Sequence, residues 1–136
     1  KEFVDTTGFD PRRDVYEIVF ASPSGAGNSK KGIVLARGSV NWPSIMAAFK
    51  ARGTQTVTIN GQEFMQVNKR SPGLVGVLDG SILIAGEANL VRDALARRGS
   101  ASALDPRLVA KADQLGARYD LWVASLVPAE MAGALA

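Results

Sequence analysis

The chain has 136 residues, 46% of them hydrophobic and 21% charged, with a formal net charge of +3 from 16 basic and 13 acidic side chains. That length and apolar content suit one ordered domain over residues 1–136, and no charge block is long enough to mark a disordered tail. Histidine and cysteine are both absent, which excludes disulfides, thiolate or histidine metal sites, thiol nucleophiles and histidine general bases.

Asp10-Pro11 reads as a turn opener, and from Asp14 the run DVYEIVFAS is rich in β-branched and aromatic residues, which predicts a strand. The Ser-Pro-Ser-Gly-Ala-Gly-Asn-Ser run cannot continue it and predicts a long loop, with Gly32 to Arg37 as the return strand. Beyond Gly38, Ile45, Ala48 and Phe49 keep the i, i+3, i+4 spacing of a buried helical stripe. Pro43 suits the first turn of that helix and Gly53 its left-handed end.

Asn60-Gly61 favours a two-residue type I′ turn, so TQTVTINGQEFMQVN predicts a hairpin pairing Ile59 with Gln62, Val57 with Phe64 and Thr56 with Met65. A second hairpin, LVGVLDGSILIAG, turns at Asp79-Gly80 and is expected to pair Val77 with Ile82 and Val75 with Ile84. Both of its faces are apolar, which marks a hairpin inside the sheet or one whose second face is covered by something else. A helix from about Asn89 to Arg98 buries Leu90, Val91, Ala94 and Leu95 and stops at Gly99. Asp105 and Pro106 open a third helix with Leu108, Ala112 and Leu115 on one face and Gly116 as its stop, and YDLWVASLV reads as a last strand.

Two stretches share a plan. GIVLARGSVNWPSIMAAFKARG, at about 32–53, and GSILIAGEANLVRDALARRG, at about 80–99, align Ile45 with Val91, Ala48 with Ala94, Phe49 with Leu95, Arg52 with Arg98 and Gly53 with Gly99 at one constant shift. Each shared position packs or caps a helix, so the internal repeat reads as scaffold. Hairpins with interspersed helices indicate an α+β fold: a mainly antiparallel sheet with helices packed on one face, in a ferredoxin-like or duplicated ββαβ arrangement.

Few residues offer chemistry. Asp10, Asp14 and Glu17 lie close together and supply oxygen ligands suited to a hard cation, but a turn, a strand start and a solvent-facing strand position account for them. The glycines before Lys30 and Lys31 lack the GxxxxGK[ST] pattern and lead into a strand rather than a helix N-terminus, so no phosphate loop is expected. Neither Ser39 nor Ser44 has a lysine three residues on, as a local Ser–Lys pair requires. The basic pairs Arg12-Arg13, Lys30-Lys31, Lys69-Arg70 and Arg97-Arg98 fall at turns and helix ends, and no RNP1-type pattern occurs, so no nucleic acid is expected. No apolar stretch reaches the roughly 20 residues of a membrane span. No catalytic, cofactor-binding or metal-binding residue is assigned. Tyr16, Phe20, Trp42 and Trp122 form the candidate interaction surface, with Trp42, before Pro43, placed either to anchor a partner or to close the core over the helix start.

Gly8-Phe9-Asp10-Pro11 with Asp14, Leu35-Ala36-Arg37-Gly38, Gly61, Gly86 with Val91, Ala94 and Leu95, and Asp120-Leu121-Trp122 resemble the pattern of uncharacterised bacterial proteins, many of them predicted to be exported. The resemblance implies a duplicated α+β domain, a periplasmic or cell-envelope location with any signal segment outside this chain, and no assigned catalytic residues. The functional expectation is a noncatalytic domain that binds a protein partner or a second copy of itself through a sheet face or edge. Its rival is a small-molecule or enzymatic domain with a pocket between the sheet and the 22–31 loop, using Asp14, Arg37 or Tyr119.

Overall fold

Strands β1 (Val15–Ala21), β2 (Ile33–Gly38), β3 (Thr56–Ile59), β4 (Gln62–Val67), β5 (Gly73–Leu78) and β6 (Ile82–Glu87) make one sheet, ordered β1-β2-β6-β5-β4-β3. Every neighbouring pair is antiparallel, so the α+β class holds. The helices among the described residues are α1 (Glu2–Thr7), α2 (Pro11–Asp14), α3 (Trp42–Ala51), α4 (Ala88–Arg97) and α5 (Pro106–Gly116). The computed structural model describes residues 2–23, 31–67, 70, 72–100 and 104–124. The chain divides into two compact units, one of residues 1–22 and 28–97 that holds the sheet and α1–α4, the other of 23–27 and 98–136 that holds α5.

Side chains alternate across a strand and directly paired residues share a face, so the register assigns every core residue to one side of the sheet. Phe64, Leu74, Leu78 and Ile84, with Ile33, Leu35, Val57, Ile59 and Ile82, fall on one face, where Val91 and Leu95 of α4 join them in one buried cluster. Met65 and Val75 fall on the opposite face and pack with Ile45, Met46, Trp42 and Phe49 of α3 and with Phe9 and Val40. The helices therefore cover both faces, which corrects the expectation of helices on one face only. The cause lies in the connectors. Ser39–Asn41 separate β2 from α3, whereas α4 begins at the residue after β6, so the chain leaves β2 and β6 for its two helices in different phase.

The helix ends follow the sequence. Asn41 caps α3 by accepting from the Ser44 N–H at 3.2 Å, Asp105 caps α5 by accepting from the Arg107 N–H at 2.8 Å, and Gly53 and Gly99 take φ of 80° and 81°. Gly116, expected to stop α5, is instead inside it, and Ala117 in right-handed geometry is the cap. Asp10 and Pro11 open a short helix, α2, rather than a simple turn, and Asp14 is its last residue.

The first hairpin has the expected register, with Val57 opposite Phe64 and Asn60 and Gly61 at φ of 51° and 78°. The second is one residue out: Leu78 pairs with Ile82, Val77 with Leu83 and Val75 with Ala85. Ser81 is drawn into the turn, its carbonyl accepting from the Gly38 N–H of β2 at 3.0 Å, and two apolar faces leave the register open to that pull. The expected last strand is not formed over residues 119–124, and its remainder, 125–127, lies outside the described residues, as do residues 24–30 of the glycine-rich loop.

Candidate functional site

β1 stands at the end of the sheet, and among the described residues only β2 pairs with it. Alternate N–H and C=O groups of an edge strand point away from its single neighbour and form a template for another strand. The side chains are open too. Tyr16 is 71% exposed, Ile18 66%, Phe20 63% and Val19 44%, although these residue types form the interior of most sheets.

Local chemistry sets this strand firmly in place. Asp10 accepts from the Arg12 N–H at 3.0 Å, and its other oxygen meets Arg12 Nη2 at 3.2 Å. Asp14 accepts from Arg13 Nε at 2.7 Å, from Arg13 Nη2 at 2.8 Å and from the Asp10 N–H at 2.8 Å, while Arg13 Nη2 also reaches the Gly8 carbonyl. Hydrogen bonds from Arg12 hold the Asp10 carboxyl below its ordinary range, and those from Arg13 and then the Asp10 backbone do the same for Asp14. One extra residue, Tyr16, bulges between Val15, opposite Gly38, and Glu17, opposite Arg37. Its hydroxyl shares a 2.5 Å hydrogen bond with Ser39 Oγ, and Glu17 meets Arg37 at 3.4 Å. From Glu17 to Ala21 the pairing with β2 is regular. Phe20 leans over Gly32, where an added methyl would sit 2.7 Å from the ring.

Of the four residues singled out in the sequence, the structure brings Tyr16 and Phe20 together on β1. Trp42 is half-buried against the Ile45–Met46–Met65 cluster. Trp122 belongs to the second unit, 37% exposed, with its indole N 3.6 Å from where a methyl on Gly116 would lie. Sequence reasoning missed Ile18 and Val19. The signal available was weak: VYEIVFA contains neither the lysine nor the proline that edge strands commonly carry, yet the same lack is normal for a central strand.

The carboxylates considered for a cation are committed to arginines: Asp10 to Arg12, Asp14 to Arg13 and Glu17 to Arg37. Among the described residues no acidic group of three or more is arranged to hold a metal ion. A concavity between α1 and α3, lined by Thr6, Thr7, Ala48, Phe49 and Arg52, has a cavity volume of about 10 Å³, room for one water at most. No helix among the described residues is long and apolar enough to cross a membrane. No family model, curated protein or solved structure matches the chain.

Proposed function

We propose that this chain is a noncatalytic interaction domain that binds another protein chain along the outer edge of β1. One observation carries the reading: a strand fixed at its start by hydrogen bonds and ion pairs leaves Tyr16, Ile18, Val19 and Phe20 open to solvent along an edge that no other strand among the described residues pairs. Adding a strand at such an edge supplies main-chain hydrogen bonds for affinity and side-chain contacts for specificity. A duplicated scaffold unit belongs to the same proposal, supported by the matched burial of Ile45 with Val91 and the matched left-handed Gly53 and Gly99.

The test places a photo-crosslinking benzoylphenylalanine at Phe20 in the native host, with the same residue at exposed Thr58 of β3 as control. Adducts at position 20 in excess of those at 58 are expected. Equal yields at the two positions would remove the reading.

A further inference from the structure

We infer that the occupant of the β1 edge is the β1 of a second copy of this chain, paired antiparallel about a two-fold axis at Val19. The inference rests on the interaction reading above and names its partner. Antiparallel pairing of identical edge strands closes on itself as a two-fold dimer, so what must be judged is whether this strand is complementary to itself.

The register centred on Val19 uses the straight part of the strand, from Glu17 to Ala21, and leaves the Tyr16 bulge outside it. Val19 meets the second Val19, Glu17 meets Ala21, and Ile18 meets Phe20 twice. Ile18 and Phe20 are the two most exposed large apolar residues in that straight stretch and share one face of the sheet. Aromatic and β-branched residues are favoured cross-strand partners, and like charges directly opposite are disfavoured. Here each Glu17 faces an alanine and keeps Arg37 beside it at 3.4 Å. Centring on Ile18 instead would bring the bulge into the ladder and set Glu17 against Val19.

Size decides the strength. Counting ~150–250 Å² for a fully buried aromatic, the open parts of Ile18, Val19 and Phe20 supply roughly 200–350 Å² per copy, below the ~800 Å² per partner of a standard stable interface. The dimer is therefore weak, half formed at a chain concentration on the order of 0.1 mM.

Sedimentation equilibrium of the purified chain tests this, with the mass expected to rise with concentration from 14.3 kDa toward twice that value. Val19→Lys sets two ammonium groups opposite each other and is expected to raise the half-dimer concentration at least tenfold, with an unchanged circular dichroism spectrum. An equimolar mixture of Val19→Lys and Val19→Glu is expected to regain association. Because the chain has no cysteine, register can be read separately. Val19→Cys is expected to form a disulfide dimer at least tenfold faster than Ile18→Cys or Phe20→Cys, while the last two cross-link when mixed. Faster self-linking of Ile18→Cys would overturn the register. A mass that stays at one chain up to 1 mM would overturn the second copy as occupant. If the position-20 photo-adducts then contain a different protein, the interaction reading stands without this inference, and if position 20 gives no more adduct than 58, both fall.

Discussion

The sheet has two ends, β1 and β3, and they are built differently. β3 has four residues, Thr56–Ile59, and its apolar side chains Val57 and Ile59 pack into the cluster around Phe64. Thr56 Oγ1 donates to Glu63 Oε1 at 2.8 Å, and Lys50 of α3 meets the same carboxylate at 2.7 Å. β1 has seven residues, and among the described residues nothing comparable covers Ile18 or Phe20. Short, polar and clamped is how edges avoid unwanted pairing, whereas long, apolar and open is how they invite it. An edge strand is neutral by position; its length and cover decide whether it is a boundary or a binding site.

The contrast breaks most visibly on two phenylalanines. Phe64→Ala, in β4 beside the closed end, empties a fully buried site and is expected to cost about 3–5 kcal/mol, whereas Phe20→Ala on β1 is expected to stay near 0.5 kcal/mol. Urea denaturation at a chain concentration well below dimerisation measures both, and equal losses would mean that β1 is as integral to the core as β4. Gly76→Ala comes next. A methyl there would overlap the Phe64 ring, which is fully buried and has no room to swing, so a loss of about 1–3 kcal/mol is expected in the same assay.

Hydrogen exchange sharpens the comparison further. In dilute solution the outward amides of Val15–Ala21 are expected to exchange far faster than those of β5, which is paired on both sides, and raising the concentration should slow β1 selectively. The smallest effect concerns the clamp at β3. Hydrogen bonds from Lys50 and then Thr56 hold Glu63 below its ordinary value of 4.5. A lowered carboxylate pKa contributes stability above the unfolded value and loses it as pH falls through the folded one. The urea midpoint is expected to fall on acidification below about pH 4.5, with Glu63→Gln showing a shallower decline than the parent protein. Identical pH profiles would show that Glu63 does not hold this end.

How far the sequence foretells this depends on what fixes each element. Asn60-Gly61 dictates its own turn geometry, so the Thr56–Met65 pairing is legible pair by pair. Asp79-Gly80 is an equally good turn signal, but apolar residues on both sides of Leu74–Leu78 give no local reason to prefer one register, and a bond from Gly38 decides it. The helical stripe at Ile45 and Phe49 is readable from spacing; the face of the sheet it covers depends on three connector residues and is not. For β1, VYEIVFA is legible as a strand, but its place at the end of the sheet comes from the way β6 returns to β2. That is why Tyr16 and Phe20 could be named as surface candidates while Ile18 and Val19 could not.

The ladder between β2 and β6 has a consequence for the order of folding. It joins Ile33 to Gly86, closing a loop of about fifty residues, the kind of contact that forms late because its entropy must be met before its bonds return anything. β3 to β6 are successive short-range pairings capped by α4, whereas the β1–β2 hairpin pairs with them across that one ladder and packs on them through Ile33 and Leu35. The hairpin bearing the open edge is thus expected to dock last and to detach first, taking Ile33 and Leu35 from the cluster while Phe64, Leu74, Ile84 and Val91 stay together in the four-stranded remainder. Gly86 sits at that junction, where a methyl would collide with the Gly32 carbonyl, so a single added carbon there acts on the joint between the two parts rather than on either part alone.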